Sequence, residues 1–337
     1  MKGSKIVGIK HGQLFKTLGI LFSLSMLLIL PSAVIAADTY PTKAIRLIVP
    51  FAAGGGTDLV GRIIAPRLSE RLGKPVIVEN RGGAGAVLGT ALAAKADPDG
   101  YTLLIVDTAH TIQPSLQKLE YDPIKSFSLI AKIANGHSVF AVPASLPVNS
   151  VKEFIALAKQ KPGTLVAGTA GQGSLGHMAL ELFKVMADID ILMAHYKGAG
   201  AALTDLLGGY IQISYQTIAQ MLPHIQSGKL KALGTGGDKR SALLPNVPTV
   251  AEAGLPGYYS VGWRGIVGPA GMPAPVVDRL AREMKTIVNS DEVKTQFLKS
   301  AMEADYKDPA EFAIFLSEEM NRWAKVVKQA NVKLEQK

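Results

Sequence analysis

The run Ile45-Arg46-Leu47-Ile48-Val49-Pro50-Phe51-Ala52-Ala53-Gly54-Gly55-Gly56-Thr57-Asp58 constrains the fold more than any other stretch. Ile45 to Val49 is short, apolar and rich in β-branched residues, the pattern of a strand buried on both faces. It breaks into three glycines. From Leu59 onward the apolar residues Val60, Ile63, Ile64, Leu68 and Leu72 recur at helical spacing, so the glycines lie in a strand-to-helix turn with Thr57 or Asp58 as the expected N-cap. Backbone N–H groups of a first helical turn have no intrahelical partner, and glycine lets a ligand approach the main chain closely. Gly54 to Gly56 therefore form a candidate anion cradle that needs no cationic side chain. The plainer reading is a tight turn with Asp58 as a cap. A P-loop is excluded, because no Gly-Lys-Ser/Thr ending follows. If the cradle reading holds, Gly54→Val is expected to block binding and leave the fold intact.

The same grammar recurs. Pro75 to Arg81 reads as a second strand, Gly82-Gly83-Ala84-Gly85 as a turn, the Ala-rich stretch to Ala96 as a helix, and Tyr101 to Val106 as a third strand ending at Asp107-Thr108-Ala109. Such a series makes a mostly parallel sheet flanked by helices, with ligands bound past the carboxyl ends of the strands. That rule puts Phe51 to Asp58 and Asp107 to Ala109 on one rim. Val139 to Val142 is a further strand, Ser150 and Glu153 form a capping box, and a second cycle runs from Thr164 to Leu233. Trp263 to Val267 reads as a strand returning to the first half. Pro275 to Val288 and Asp308 to Val327 read as amphipathic helices, the stripe Phe312, Phe315, Leu316, Met320, Trp323, Val327 being core. The chain thus divides into residues 38–139 plus 262–337 as one lobe and 140–261 as another, with a cleft between them.

The first 37 residues hold Lys2, Lys5, Lys10 and Lys16, an apolar run from Leu18 to Leu30, and small residues before Asp38. This reads as a secretory signal peptide cut near Ala36 or Ala37, giving a periplasmic protein of about 300 residues. The formal charge of +9 then falls to +5, with 32 basic against 27 acidic residues. Such mild basicity suits small anions, and no Lys/Arg block interleaved with aromatics of the kind that grips nucleic acid is present. The absence of cysteine excludes disulfides, thiolate catalysis and Cys-rich zinc sites.

Gly171-Gln172-Gly173-Ser174-Leu175-Gly176 matches GxGxxG between a strand and a helix, which keeps open an exported α/β enzyme with a nucleotide at this turn. The following strand ends at His195-Tyr196, without the acidic residue that would hold a ribose, so a second anion cradle facing the first is preferred. Ser174 and His177 can share a helix face but make no triad, and the other histidines lack metal-ligand spacing. Catalytic residues, cofactors and metals are not expected. Residues choosing the ligand are expected near Thr108, Gln216 and Trp263.

Ordered segments cover nearly the whole chain after the leader: Tyr40-Pro41-Thr42-Lys43, Pro50-Phe51, Gly54-Gly55-Gly56-Thr57-Asp58, Val78-Glu79-Asn80-Arg81, Pro98-Asp99-Gly100-Tyr101, Gly171-Gln172-Gly173-Ser174 with His177, Tyr196-Lys197-Gly198, Asp205-Leu206-Leu207-Gly208-Gly209, Leu222-Pro223-His224, Pro248-Thr249-Val250-Ala251-Glu252-Ala253-Gly254 and Gly268-Pro269-Ala270-Gly271. In these the chain resembles the Bug family, extracytoplasmic solute receptors of tripartite tricarboxylate transporters. The resemblance implies a two-lobed, type II Venus-flytrap binding protein. It would hold a small carboxylate through backbone amides and waters of the two glycine turns and deliver it, as a monomer, to membrane subunits of the transporter. It assigns binding roles to Phe51, Ala53, Gly54, Gly56 and Asp58 on one lobe and to Thr169, Gly171, Gly173, Ser174 and His177 on the other. Gly55, Thr57, Thr108, Gln172 and Gln216 complete the candidate set. Ala201 stands where the family usually has proline. Gln216 stands where many members have an acid able to pair with an ammonium group, and a neutral amide suits a dicarboxylate or an aromatic acid equally well. A receptor that presents the same acids to a sensor kinase is the other alternative.

Overall fold

The computed structural model describes Gly3 and residues 40–196 and 198–332; the leader read over residues 1–37, Gly3 apart, and Lys197 of the Tyr-Lys-Gly turn lie outside the described residues. In chain order the elements are β1 (Ile45–Val49), α1 (Gly56–Leu72), β2 (Val76–Asn80), α2 (Val87–Ala94), β3 (Thr102–Asp107), α3 (Thr108–Leu116), β4 (Phe127–Gly136), β5 (Ser138–Pro143), α4 (Val151–Gln160), β6 (Val166–Thr169), α5 (Leu175–Ala187), β7 (Leu192–His195), α6 (Ala199–Leu207), β8 (Ile213–Thr217), α7 (Ile218–Gln226), β9 (Leu230–Thr235), β10 (Gly262–Pro269), α8 (Ala274–Asn289), α9 (Asp291–Lys299), β11 (Met302–Lys307) and α10 (Pro309–Gln329). No helix among the described residues is long and apolar enough to cross a membrane.

Two sheets result. The first has the order β11-β4-β10-β3-β1-β2 and the second β7-β6-β8-β5-β9. β1 is parallel to both its neighbours, Leu47 lying opposite Val78 on one side and Leu103 on the other. That position explains its mostly apolar sequence: Ile45, Leu47, Ile48 and Val49 are wholly buried, and only the half-buried Arg46 interrupts them, paired with Glu79 of β2. Burial of each such side chain stabilises the sheet by about 1.5–3 kcal/mol. α1 lies on this sheet through Val60, Ile63, Ile64 and Leu68. Gly61 permits its close approach, since a methyl group there would press on Val49 and Ile105 at 3.1 and 3.2 Å.

The sheets are mixed, which corrects the expectation that each is mostly parallel. β10 runs antiparallel to β3 and β4, β11 antiparallel to β4, and β5 antiparallel to β8 and β9. Two of the strands responsible, β4 and β11, carry polar residues that hid them from a reading based on apolar runs.

The chain passes from the first sheet to the second at His137 and returns between Thr235 and Gly262. The two passages are bonded together: Gly236 N–H donates to Ser138 O at 3.3 Å, and Ser260 N–H to Gly236 O at 2.8 Å. Tyr215 hydroxyl donates to Ser260 O. Any side chain at Gly236 would overlap both that hydroxyl and that carbonyl. α10, opened by a full capping box of Asp308 and Glu311, then lies across the molecule. Its Phe312 and Leu316 join the core of the first sheet, whereas its Trp323 packs with Ile112 of α3 and Met178 of α5.

Candidate functional site

The first glycine turn follows β1 as expected, with its cap differently made. α1 starts at Gly56, and Gly55 is the N-cap with no side-chain bond, so Thr57 and Asp58 are helical residues rather than caps. The Asp58 carboxylate reaches backward and accepts from Gly54 N–H, from Arg62 and from Asn80 Nδ2, each at 2.9 Å. Burial raises the carboxyl's pKa, but the Arg62, Gly54 and Asn80 bonds together outweigh that and hold it below the usual range. Asn80 Nδ2 also donates to Phe51 O at 3.1 Å, so Asn80, which the sequence reading did not single out, ties the turn to β2. One of the amides assigned to a ligand, that of Gly54, is therefore spent on Asp58. Gly56, Thr57 and Asp58 remain as first-turn donors with no carbonyl four residues back inside the helix. Gly54 has φ +87°, so Gly54→Val would strain the backbone besides blocking the turn, and the expectation of an intact fold is withdrawn.

A cation does stand beside this turn. Arg264, in the middle of β10, is nine-tenths buried, and a methyl group on Gly56 would lie 3.1 Å from its Nη2. The sequence reading, which expected no cation in this role, did not anticipate this neighbour. Asp107 is opposite Arg264 in the β3–β10 register. Its carboxylate accepts from Ala109 N–H at 3.0 Å and from the Thr57 hydroxyl at 3.2 Å. Burial pushes the Asp107 pKa up, the field of Arg264 and these two bonds opposing it. Burial likewise draws the Arg264 pKa down, with Asp107 acting the other way.

The second turn is more nearly self-satisfied than a free cradle would be. Gly171 N–H donates to Thr169 Oγ1 at 3.3 Å, Gly173 N–H to His177 Nδ1 at 3.1 Å, and Ser174 N–H to Gly171 O at 3.2 Å. Ser174 is the N-cap of α5, its hydroxyl accepting from His177 N–H at 3.2 Å. Thr169, Gly171, Gly173, Ser174 and His177 thus fix the shape of the loop, leaving Gln172 and the first helical residues, Leu175 and Gly176, to present amides. Thr169 Oγ1 is also 2.9 Å from His195 Nδ1.

The second turn lies against the turn at residues 82–85 of the first sheet. Gln113 of α3 donates to Gly85 O at 3.2 Å, and a methyl group on Gly173 would stand 2.7 Å from the same Nε2. One on Gly85 would be 3.7 Å from Gln172 O. One on Gly82 would be 3.0 Å from Ala52 N, which joins the second and first turns of the first sheet. Turns at the carboxyl ends of strands in both sheets therefore come together. Thr108 is buried, its hydroxyl accepting from Trp263 N–H at 3.1 Å, and the Trp263 ring belongs to the core. Gln216 is buried opposite Val139, two residues past the crossing at His137; its Nε2 donates to Ser214 Oγ at 3.0 Å and its Oε1 has no partner. Ala53, Gly54 and Gly55 are exposed and Phe51 and Gly56 half-buried, as a rim requires. Sequence reasoning missed Arg264, Asn80 and Gln113. A lone arginine inside the otherwise apolar or small run Gly262–Pro269 is the signal that was available.

Two buried histidines give a pH prediction. Burial, then His195 and Lys184, lower the His177 pKa to about 3, and burial lowers that of His110 to about 4 although its Nε2 lies 2.7 Å from Pro123 O. Both are neutral when folded and take a proton when unfolded below about pH 6.5. Stability is then complete above that pH and falls as pH drops toward 4, by up to about 1.4 kcal/mol per pH unit for each histidine. Melting temperature should be flat from pH 7 to 8 and decline from 6 to 4. His110→Gln should make that decline shallower; an unchanged slope would refute the assignment.

With this geometry in hand, the likenesses are specific. The family described as the tripartite tricarboxylate transporter family receptor matches residues 60–332. Protein BugT of Bordetella pertussis is 34% identical over 306 residues, 90% of this chain and 94% of that protein. Among solved structures, R. palustris Rpa4515 with adipate superposes with a TM-score of 0.82 at 33% identity, covering 87% of this chain and 99% of that one. MatC from Rhodopseudomonas palustris with bound malate gives 0.78 at 30% identity, covering 86% and 100%. The chain has the two-lobed α/β fold of these binding proteins.

Proposed function

This chain belongs to the tripartite tricarboxylate transporter family receptors, and on that premise we propose that it captures a small carboxylate between residues 38–139 plus 262–337 and residues 140–261 and hands it to the membrane subunits of such a transporter. The family is one of receptors, so the reading as a nucleotide-dependent enzyme is set aside. What supports the proposal is that the starts of α1 and α5 both reach the same stretch of β10: a methyl group on Gly56 would lie 3.1 Å from Arg264 Nη2, and one on Gly262 would lie 2.9 Å from Leu175 Cδ2. Relatives solved with adipate and with malate support the same chemistry.

Closure is the mechanism. The lobes rotate about His137 and the segment after Thr235, and a ligand that touches both walls gains its bonds only when they meet. Charge-assisted hydrogen bonds contribute roughly 1.5–3 kcal/mol each. Several of them, less the cost of immobilisation, correspond to affinity on the order of micromolar. The protein acts as a monomer in the periplasm after loss of residues 1–37.

A thermal-shift screen of purified, ligand-stripped protein against mono-, di- and tricarboxylates, aromatic acids, amino acids and nicotinate tests this. An acid at 100 times its dissociation constant stabilises by about 2.7 kcal/mol. At least one should raise the melting temperature in a concentration-dependent way. A flat response to every acid would end the proposal.

A further inference from the structure

The Arg264 guanidinium is a buried charge without a contact partner. Its Nε has no solvent access and no hydrogen bond, and among the described residues no carboxylate lies within ion-pair distance. Asp107 acts on it only through space, its own oxygens being engaged by Ala109 and Thr57. The niche around the guanidinium is built from glycines of three separate segments. A methyl group on Gly136 would overlap Nη1, one on Gly262 would lie 3.3 Å from Nη1, and one on Gly56 would lie 3.1 Å from Nη2. The same methyl on Gly262 would be 2.9 Å from Leu175 Cδ2, at the N-terminus of α5. Arg264 therefore sits between the starts of α1 and α5, at the base of the cleft where the chain crosses between sheets.

An arginine kept in such a place without a counter-ion weakens the empty protein, because burying an unpaired charge is costly. Helix N-termini and amides supply only partial positive charge. A full guanidinium adds a whole charge and a planar fork matched to a carboxylate. We propose that Arg264 sets the specificity of the cleft: its guanidinium receives one carboxylate of a di- or tricarboxylate whose other carboxylate is held by the glycine turns. The inference rests on the receptor reading above and narrows it, excluding monocarboxylates as the preferred ligands.

The test uses calorimetric titration of the purified protein and of Arg264→Met with succinate, adipate and tricarballylate, against butyrate and hexanoate. Wild type should bind at least one of the first three at least about tenfold tighter than either monocarboxylate, and Arg264→Met should lose about 100-fold in that affinity and the preference with it. Arg264→Lys, which keeps the charge without the fork, should fall between the two and serves if the methionine variant does not fold. Ligand-free Arg264→Met should melt at or above the wild-type temperature, whereas a purely structural arginine would leave a less stable protein. Equal affinity of wild type for mono- and dicarboxylates, or undiminished dicarboxylate binding by a folded Arg264 variant, overturns the inference and leaves the receptor reading standing. Failure of wild type to bind any of the five acids, together with a flat thermal-shift screen, removes both.

Discussion

Phe312→Ala should lower unfolding stability by about 3–5 kcal/mol, the largest effect expected from a single truncation here. Phe312 is wholly buried on α10 and meets Trp263 edge-on, with centroids 5.8 Å apart and planes at 76°. Phe315 stands beside both rings, 5.4 Å from Trp263 and 6.5 Å from Phe312. What makes the site unforgiving is its floor. The Phe312 ring lies directly on Gly265, where any side chain would overlap it, and Gly265 is held in β10 between β3 and β4. Strands bonded on both sides cannot move in to fill the void, so the cavity term persists alongside the lost transfer energy. Urea denaturation followed by circular dichroism reads the change, with Phe312→Leu as a smaller step in the same direction. A loss under about 1 kcal/mol for Phe312→Ala would show that the site collapses after all.

The β1-turn-α1 unit and the capped start of α10 were legible because local signals agree there: a strand apolar but for Arg46, glycines at the turn, and Asp308 with Glu311 at the required spacing. β4 and β11 were not legible. β4 contains Lys132, only 1% exposed, ion-paired to Asp305 of β11 and bonded to Asn135 at 2.6 Å. A charge satisfied by a residue 173 positions away breaks the apolar pattern without breaking the strand. That glycine turns follow β1 and β6 was legible, since strand-end turns of α/β sheets follow a general rule. Which amides stay free was not. Asp58 could cap its own helix or reach back to Gly54, and His177 could face the ligand or Gly173; both choices preserve the spacing, and only packing decides. Arg264 was visible as an odd residue, but its meaning depends on Gly56, Gly136 and Gly262, which the fold alone brings together.

Gly55→Val should leave the protein folded and cut carboxylate affinity by 100-fold or more. Gly55 is the N-cap of α1 with φ −81° and ψ 168°, extended backbone open to any residue, unlike Gly54. A β-carbon there would meet only Ala52 O, at 3.8 Å. Valine is a poorer N-cap than glycine, so a stability loss of about 1 kcal/mol or less is expected. The branched side chain would stand next to the Gly56 and Thr57 amides, and shielding two charge-assisted donors removes roughly 3–6 kcal/mol of binding. Since a tenfold change corresponds to about 1.4 kcal/mol, 100-fold is the lower bound. The measurement is titration of the best acid from the thermal screen into both proteins, with melting temperatures recorded alongside. Wild-type affinity in folded Gly55→Val would mean that the ligand does not use the start of α1. In that case the amides of the second turn and Arg264 would have to hold it without the first lobe's helix.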